Sequence, residues 1–167
     1  MQHPPRELPG PGQESVWDYP RPPALRTGSQ HVRIVTASGR VLADTTAALQ
    51  LLETSHPPSY YIPARDVDLS LLALSGAPAT SCEFKGRASY FDLVEGERVD
   101  RAVGWSYPSP TAAFQPIADH LTFYADRVGL CTVDGVAVVA QPGAFYGGWI
   151  TPWVAGPFKG PPGTMWW

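Results

Sequence analysis

His31-Val-Arg-Ile-Val-Thr-Ala-Ser-Gly-Arg-Val-Leu-Ala43 decides the fold class. Val32, Ile34 and Thr36 alternate with Arg33 and Val35. This period of two, carried by β-branched residues, predicts a strand over His31–Thr36. Ser38-Gly39 supplies the turn, and Arg40–Ala43 returns antiparallel to the first run. The same grammar recurs along the chain. Ser59–Ile62, Thr80–Phe84, Ala88–Val94 and Val99–Tyr107 read as strands. Cys131–Val139 reads as a late hairpin folded at Asp134-Gly135. Val67–Leu74 holds a short apolar run that suits one more strand.

Two segments carry helical spacing instead. Asp44 suits an N-cap for a helix over Thr45–Leu52, with Ala47, Ala48, Leu51 and Leu52 near one face. Phe114–Phe123 is the second helix candidate, through Ile117, Leu121 and Tyr124. The 19 prolines and 16 glycines interrupt the chain too often for long helices. The expected class is mainly β, with one or two short helices.

The flanks differ from this centre. Residues 1–13 are rich in Pro and Gly with little to bury, and read as a flexible tail. Residues 14–167 are expected to form one domain with aromatic arms at both ends. Trp17 and Tyr19 lie in a proline-rich stretch that cannot be helical, so it is expected to lie extended against the domain. Pro142–Trp167 is irregular and aromatic, and its terminal Trp166-Trp167 pair is expected to dock on this chain or on a dimer mate.

Composition narrows the function classes. Charged residues are 16% of the chain and aromatics 11%, so there is ample apolar surface for a core. The 12 Lys and Arg are scattered and the net charge is −3, which argues against a nucleic-acid partner. No apolar stretch approaches the roughly 20 residues that span a bilayer. The N-terminus has no apolar run of the kind a secretory signal needs, so a cytoplasmic location is expected. Cys82 and Cys131 are far apart and form no CxxC pair, and a reducing compartment keeps both as thiols. A monomer or a homodimer suits these features.

Several segments in order carry a family resemblance. They are Ala43-Asp44, Leu51–Pro63, Cys82-Glu-Phe-Lys-Gly-Arg-Ala-Ser-Tyr90, Trp105-Ser-Tyr-Pro108 and Ile117–Tyr124. Together they resemble the bacterial and fungal family known as domain of unknown function 427, over about residues 31–128. Ser15–Pro22, Phe145–Pro152 and Gly156–Gly160 resemble the flanks of an extended version. The resemblance implies a β-tent, two antiparallel sheets meeting at an angle, and no established reaction. The family has also carried a nucleotidyltransferase label. Neither GxxxxGK[ST] nor a GxGxxG after a strand is present to support it, and no DxD pair offers a magnesium site. Relatives of the fold often pin their sheets with a four-cysteine zinc, which two cysteines cannot supply.

The residues that point to chemistry cluster around one turn. Lys85 beside Tyr90, Trp105 and Tyr107, facing Tyr60 and Tyr61, would make an aromatic pocket with one cation. That pocket is expected in a gap between the two sheets and suits a small-molecule ligand. The competing reading is that the rings are core and Lys85 closes a turn. For an enzyme, His56 would serve as acid or base, with Cys82 or Lys85 as nucleophile or electrophile. His31, His56, His120 and Cys82 show no metal-ligand spacing, so neither metal nor cofactor is expected. A structural or oligomeric module using the aromatic tails is the remaining alternative.

Overall fold

The structure is a computed structural model and describes residues 3–167. Sixteen strands run in chain order. The first five are β1 (Glu14–Ser15), β2 (Ala24–Thr27), β3 (Val32–Val35), β4 (Val41–Thr45) and β5 (Leu49–Leu52). They are followed by β6 (Ser59–Pro63), β7 (Leu72–Leu74), β8 (Thr80–Cys82), β9 (Gly86–Glu95), β10 (Arg98–Ser106) and β11 (His120–Phe123). The last are β12 (Leu130–Val133), β13 (Val136–Ala137), β14 (Val139–Ala140), β15 (Trp149–Ile150) and β16 (Val154–Ala155). One α-helical turn, α1 (Ala125–Val128), and short 3-10 turns complete the described residues.

Two antiparallel sheets dominate. The larger has the order β2-β5-β6-β11-β10-β9-β7, with β8 also paired to β9. The smaller has the order β13-β12-β3-β4. The opening hairpin is β3–β4, with Ile34 opposite Ala43. The late hairpin turns at Asp134 and Gly135, whose φ values of 47° and 77° are the left-handed pair that twists two strands together.

The helix expected over Thr45–Leu52 fails, and the one expected over Phe114–Phe123 holds only as a 3-10 turn as far as Ile117, for physical reasons. Asp44 and Thr45 end β4, and Leu49–Leu52 pairs β2 on one side and β6 on the other. Sheet hydrogen bonds on both flanks outweigh a helical spacing that Leu49 and Leu51 satisfy equally well as a strand. In the second segment Pro116 lies inside a 3-10 turn over Ala112–Ile117. It removes an amide donor, and the chain leaves as β11, which enters between β6 and β10.

The larger sheet buries both faces. On one, Tyr60, Ile62, Leu93, Val103, Leu121 and Phe123 pack on Val32, Ile34, Leu42, Cys131 and Val133 of the smaller sheet. On the other, Leu51, Tyr61, Ala88, Trp105, Tyr107 and Tyr124 pack with Phe114 and Ile117. The terminal arms close over this assembly. Val16–Asp18 is a 3-10 turn that buries Val16 and Trp17. Glu7 and Gly156 exchange hydrogen bonds, and β1 runs parallel to β16. Of the terminal indoles, Trp167 packs 5.6 Å from the Trp17 ring, whereas Trp166 is 70% exposed. The expectation that both dock therefore holds within the chain for Trp167 only. No helix of the described residues is long and apolar enough to cross a membrane.

Candidate functional site

Period-two alternation builds the site on the second face of the larger sheet. Trp105 of β10 and Tyr107, just past its end, lie two apart, and Tyr90 of β9 sits directly opposite Trp105 in the ladder. Cys82 of β8 faces Gly86, and Thr80 faces Ala88. These side chains share one side, and with Leu51, Ser59 and Tyr124 they line a cavity of about 270 Å³. That is near the lower end of ligand pockets, which run about 300–1,000 Å³. The expected gap between the two sheets is filled by core side chains. The cavity lies on the far side of the larger sheet, under the C-terminal arm.

The floor is aromatic. Trp105 lies 4.6 Å from the Tyr124 ring and 6.4 Å from Tyr90. Tyr90 is held by its hydroxyl bond to Thr80 at 2.8 Å, and Tyr124 donates to the Phe145 carbonyl at 3.0 Å. Burial pushes the Tyr124 phenol up to about 12 and raises Tyr107 further, so both are neutral donors rather than anions.

Two ammonium groups reach this floor. Lys85 Nζ sits 5.6 Å from the centre of the Tyr107 ring. Lys159, only 8% exposed, sits 5.4 Å from the Tyr146 ring and donates to the main-chain oxygen of Trp167, the last residue, at 3.1 Å. Among the described residues neither lysine is within ion-pair distance of an Asp or Glu side chain. Glu53 and Glu83 also line the cavity, but Glu53 pairs with Arg21 at 3.6 Å. Burial lowers the Lys159 pKa, Arg21 lowers it further and Glu53 opposes both. Lys85 and Lys159 are the only lysines in the chain.

His56 completes the wall, and its protonation is set by Gln141. The Gln141 amide accepts from the Gly148 N–H at 3.0 Å and donates to the Lys159 carbonyl at 2.8 Å. Those two backbone groups fix which end of the amide is nitrogen. The nitrogen also donates to His56 Nδ1 at 2.9 Å, so Nδ1 is an acceptor and the proton sits on Nε2. Burial, then the charges of Lys159, Arg21 and Lys85, push the imidazolium pKa down to about 3. His56 is therefore a neutral N–H donor. No hydrogen bond joins it to Cys82 among the described residues, and Glu53 Oε2 lies 4.0 Å from Nε2.

The structure thus gathers His56, Cys82, Lys85, Tyr90, Trp105 and Tyr107 on one cavity. Tyr60 and Tyr61 are placed elsewhere. Tyr60 points to the opposite face, stacked 5.1 Å from Trp149, with its hydroxyl accepting from Gln50 at 3.0 Å. Tyr61 is fully buried behind the cavity wall, near Tyr107 and Trp105, and its hydroxyl has no well-formed hydrogen bond. Consecutive residues on a strand point to opposite faces, so Tyr60 and Tyr61 could not both face one pocket. Cys131 is buried on β12, and burial pushes its thiol up to about 12. His31 lies apart, on Asp44 at 2.6 Å. No group of three metal-ligating side chains occurs among the described residues.

Sequence reasoning missed Gln141, Tyr146 and Lys159. Their signal was weak but present, since Lys159 is a lone charge within a Gly, Pro and aromatic segment. The family model described as a domain of unknown function, DUF427, matches residues 24–134. The chain belongs to this family. No curated protein matches it. The DUF427 segment contributes the aromatic floor, Lys85 and His56. Gln141, Phe145, Tyr146, Gly147 and Lys159 complete the cavity from beyond that segment.

Proposed function

We propose that the protein binds a small organic anion with a planar ring in this cavity. The carrying observation is that both lysines of the chain border one aromatic cavity and neither is paired with an Asp or Glu side chain among the described residues. Burying a cation without an anion is unfavourable, and a bound carboxylate or phosphate would offset that cost. Trp105 and Tyr124 offer faces for a ring, and the neutral N–H of His56 offers a further donor to an anion. The enzyme reading with His56 as a base is weaker, because Nδ1 is occupied by Gln141 and Nε2 carries its proton.

Thermal shift against a panel of aromatic and heterocyclic carboxylates and phosphates tests the proposal. Wild type should be stabilised by a subset, and Lys85→Ala and Trp105→Ala should each lose that shift. A panel without any shift, or variants that respond as wild type does, would reject it.

A further inference from the structure

We infer that the ring bound in this cavity carries an exocyclic oxo group, whose oxygen accepts hydrogen bonds from the Trp105 indole N–H and the Tyr107 hydroxyl. The ligand class narrows to oxo-substituted ring acids of the pyridone type. The inference rests on the binding reading above and adds a neutral contact to its ionic one.

The polar heads of the rings lining the cavity fall into two groups. The Tyr90 hydroxyl is bonded to Thr80, and the Tyr124 hydroxyl to the Phe145 carbonyl. Trp105 and Tyr107 line the same cavity and are only 8% and 6% exposed, yet their polar atoms are not held in this way. The Trp105 N–H lies near both the Tyr107 and the Tyr61 hydroxyls and makes a well-formed bond to neither among the described residues. The other two buried indoles show what such a group ordinarily finds. Trp17 donates to the Pro157 carbonyl and Trp149 to the Phe123 carbonyl, each at 2.9 Å. A buried donor without an acceptor costs free energy, so the Trp105 and Tyr107 pair marks a place for an atom that the chain does not supply.

The chemistry of the two groups says what that atom is. An indole N–H only donates, so its partner must be an acceptor. Burial keeps the Tyr107 hydroxyl protonated, so it can donate as well. An oxo oxygen has two lone pairs and no hydrogen of its own, and so takes both donors at once. A second anionic group suits this end less well, because neutral donors alone leave a buried charge uncompensated. The charge of the ligand is met instead by Lys85, whose Nζ lies 5.6 Å from the Tyr107 ring centre and makes no hydrogen bond among the described residues. The cavity of about 270 Å³ limits the ligand to a single small ring.

The test uses the full chain and matched pairs of ring acids, with Kd read by isothermal titration. The oxo members are 2-oxonicotinate, 2-oxoisonicotinate and 6-oxonicotinate, which place the oxo group ortho, meta and para to the carboxylate. Their partners are 2-methylnicotinate, 2-methylisonicotinate and 6-methylnicotinate. At least one oxo acid should bind about tenfold more tightly than its methyl partner, the gain from satisfying two buried donors. Tyr107→Phe should bring that ratio close to one while the Kd of the methyl acid stays unchanged, a split that a merely structural loss would not produce. Tyr90→Phe removes a hydroxyl already bonded to Thr80 and should leave the ratio as in wild type. Equal Kd values within every pair would overturn the oxo inference on wild type alone and leave the binding reading standing. A ratio that survives Tyr107→Phe would overturn it too. No measurable binding of any of these acids would overturn the binding reading as well.

Discussion

The side-chain amide of Gln141 donates to Nδ1 of His56 at 2.9 Å, and two backbone groups prevent that amide from turning round. A histidine 85 residues earlier in the chain is thereby locked as its Nε2–H tautomer. The consequence is a donor at the cavity wall that does not become a cation in the physiological range.

Stability should therefore depend on pH through His56. Its pKa is about 3 folded against 6.5 as the ordinary value, so between these limits the unfolded chain binds a proton that the folded chain does not. Folding free energy is undiminished above pH 6.5 and falls as pH drops towards 3. The slope from this one group is about 1.4 kcal/mol per pH unit. Urea unfolding at pH 7, 6 and 5 should show the decline, and His56→Gln should flatten it. An equal slope in the variant would place the proton uptake elsewhere.

Gly147 is required by contact rather than by a turn. A Cβ there would stand 2.2 Å from Cη2 of Trp105. Gly147→Ala should destabilise the fold by about 1–3 kcal/mol through overpacking. It should also displace the Trp105 ring in the cavity floor. Denaturant midpoints and tryptophan emission report both effects, and a variant with wild-type values of each would contradict the packing.

Trp149 ties the C-terminal arm to the main core. It is fully buried, stacks on Tyr60 and donates from its indole to the Phe123 carbonyl at 2.9 Å. Trp149→Ala should cost about 3–5 kcal/mol. A fragment limited to residues 24–134 loses this ring and should fail to give a cooperative thermal transition. A folded fragment would show that the arm is an accessory.

The adjacent tyrosines should respond oppositely to loss of their hydroxyls. Tyr60→Phe leaves the buried Gln50 amide short of a partner and should cost about 1 kcal/mol. Tyr61→Phe removes a hydroxyl without a well-formed bond and should be neutral or stabilising by up to about 1 kcal/mol. Chemical denaturation of the two variants side by side decides this. Equal losses would mean that Tyr61 has a bonded partner.

The sequence by itself determined what is local. Alternation of apolar and polar residues located β3, β4, β6, β9, β10 and the β12–β13 hairpin, because the side-chain period of a strand is visible in neighbouring residues. The order of short motifs pointed to DUF427, and Lys85, Tyr90, Trp105 and Tyr107 were legible because one hairpin and its neighbour bring them together. Leu49–Leu52 and His120–Phe123 were not legible as strands, since they are strands by virtue of the partners on either side. Only the tertiary structure decided which face of the larger sheet holds the cavity. It alone separated Tyr60 from Tyr61 and brought Gln141 and Lys159 to His56. Those outcomes depend on contacts between distant segments, whose energies come from packing and burial that no local pattern encodes.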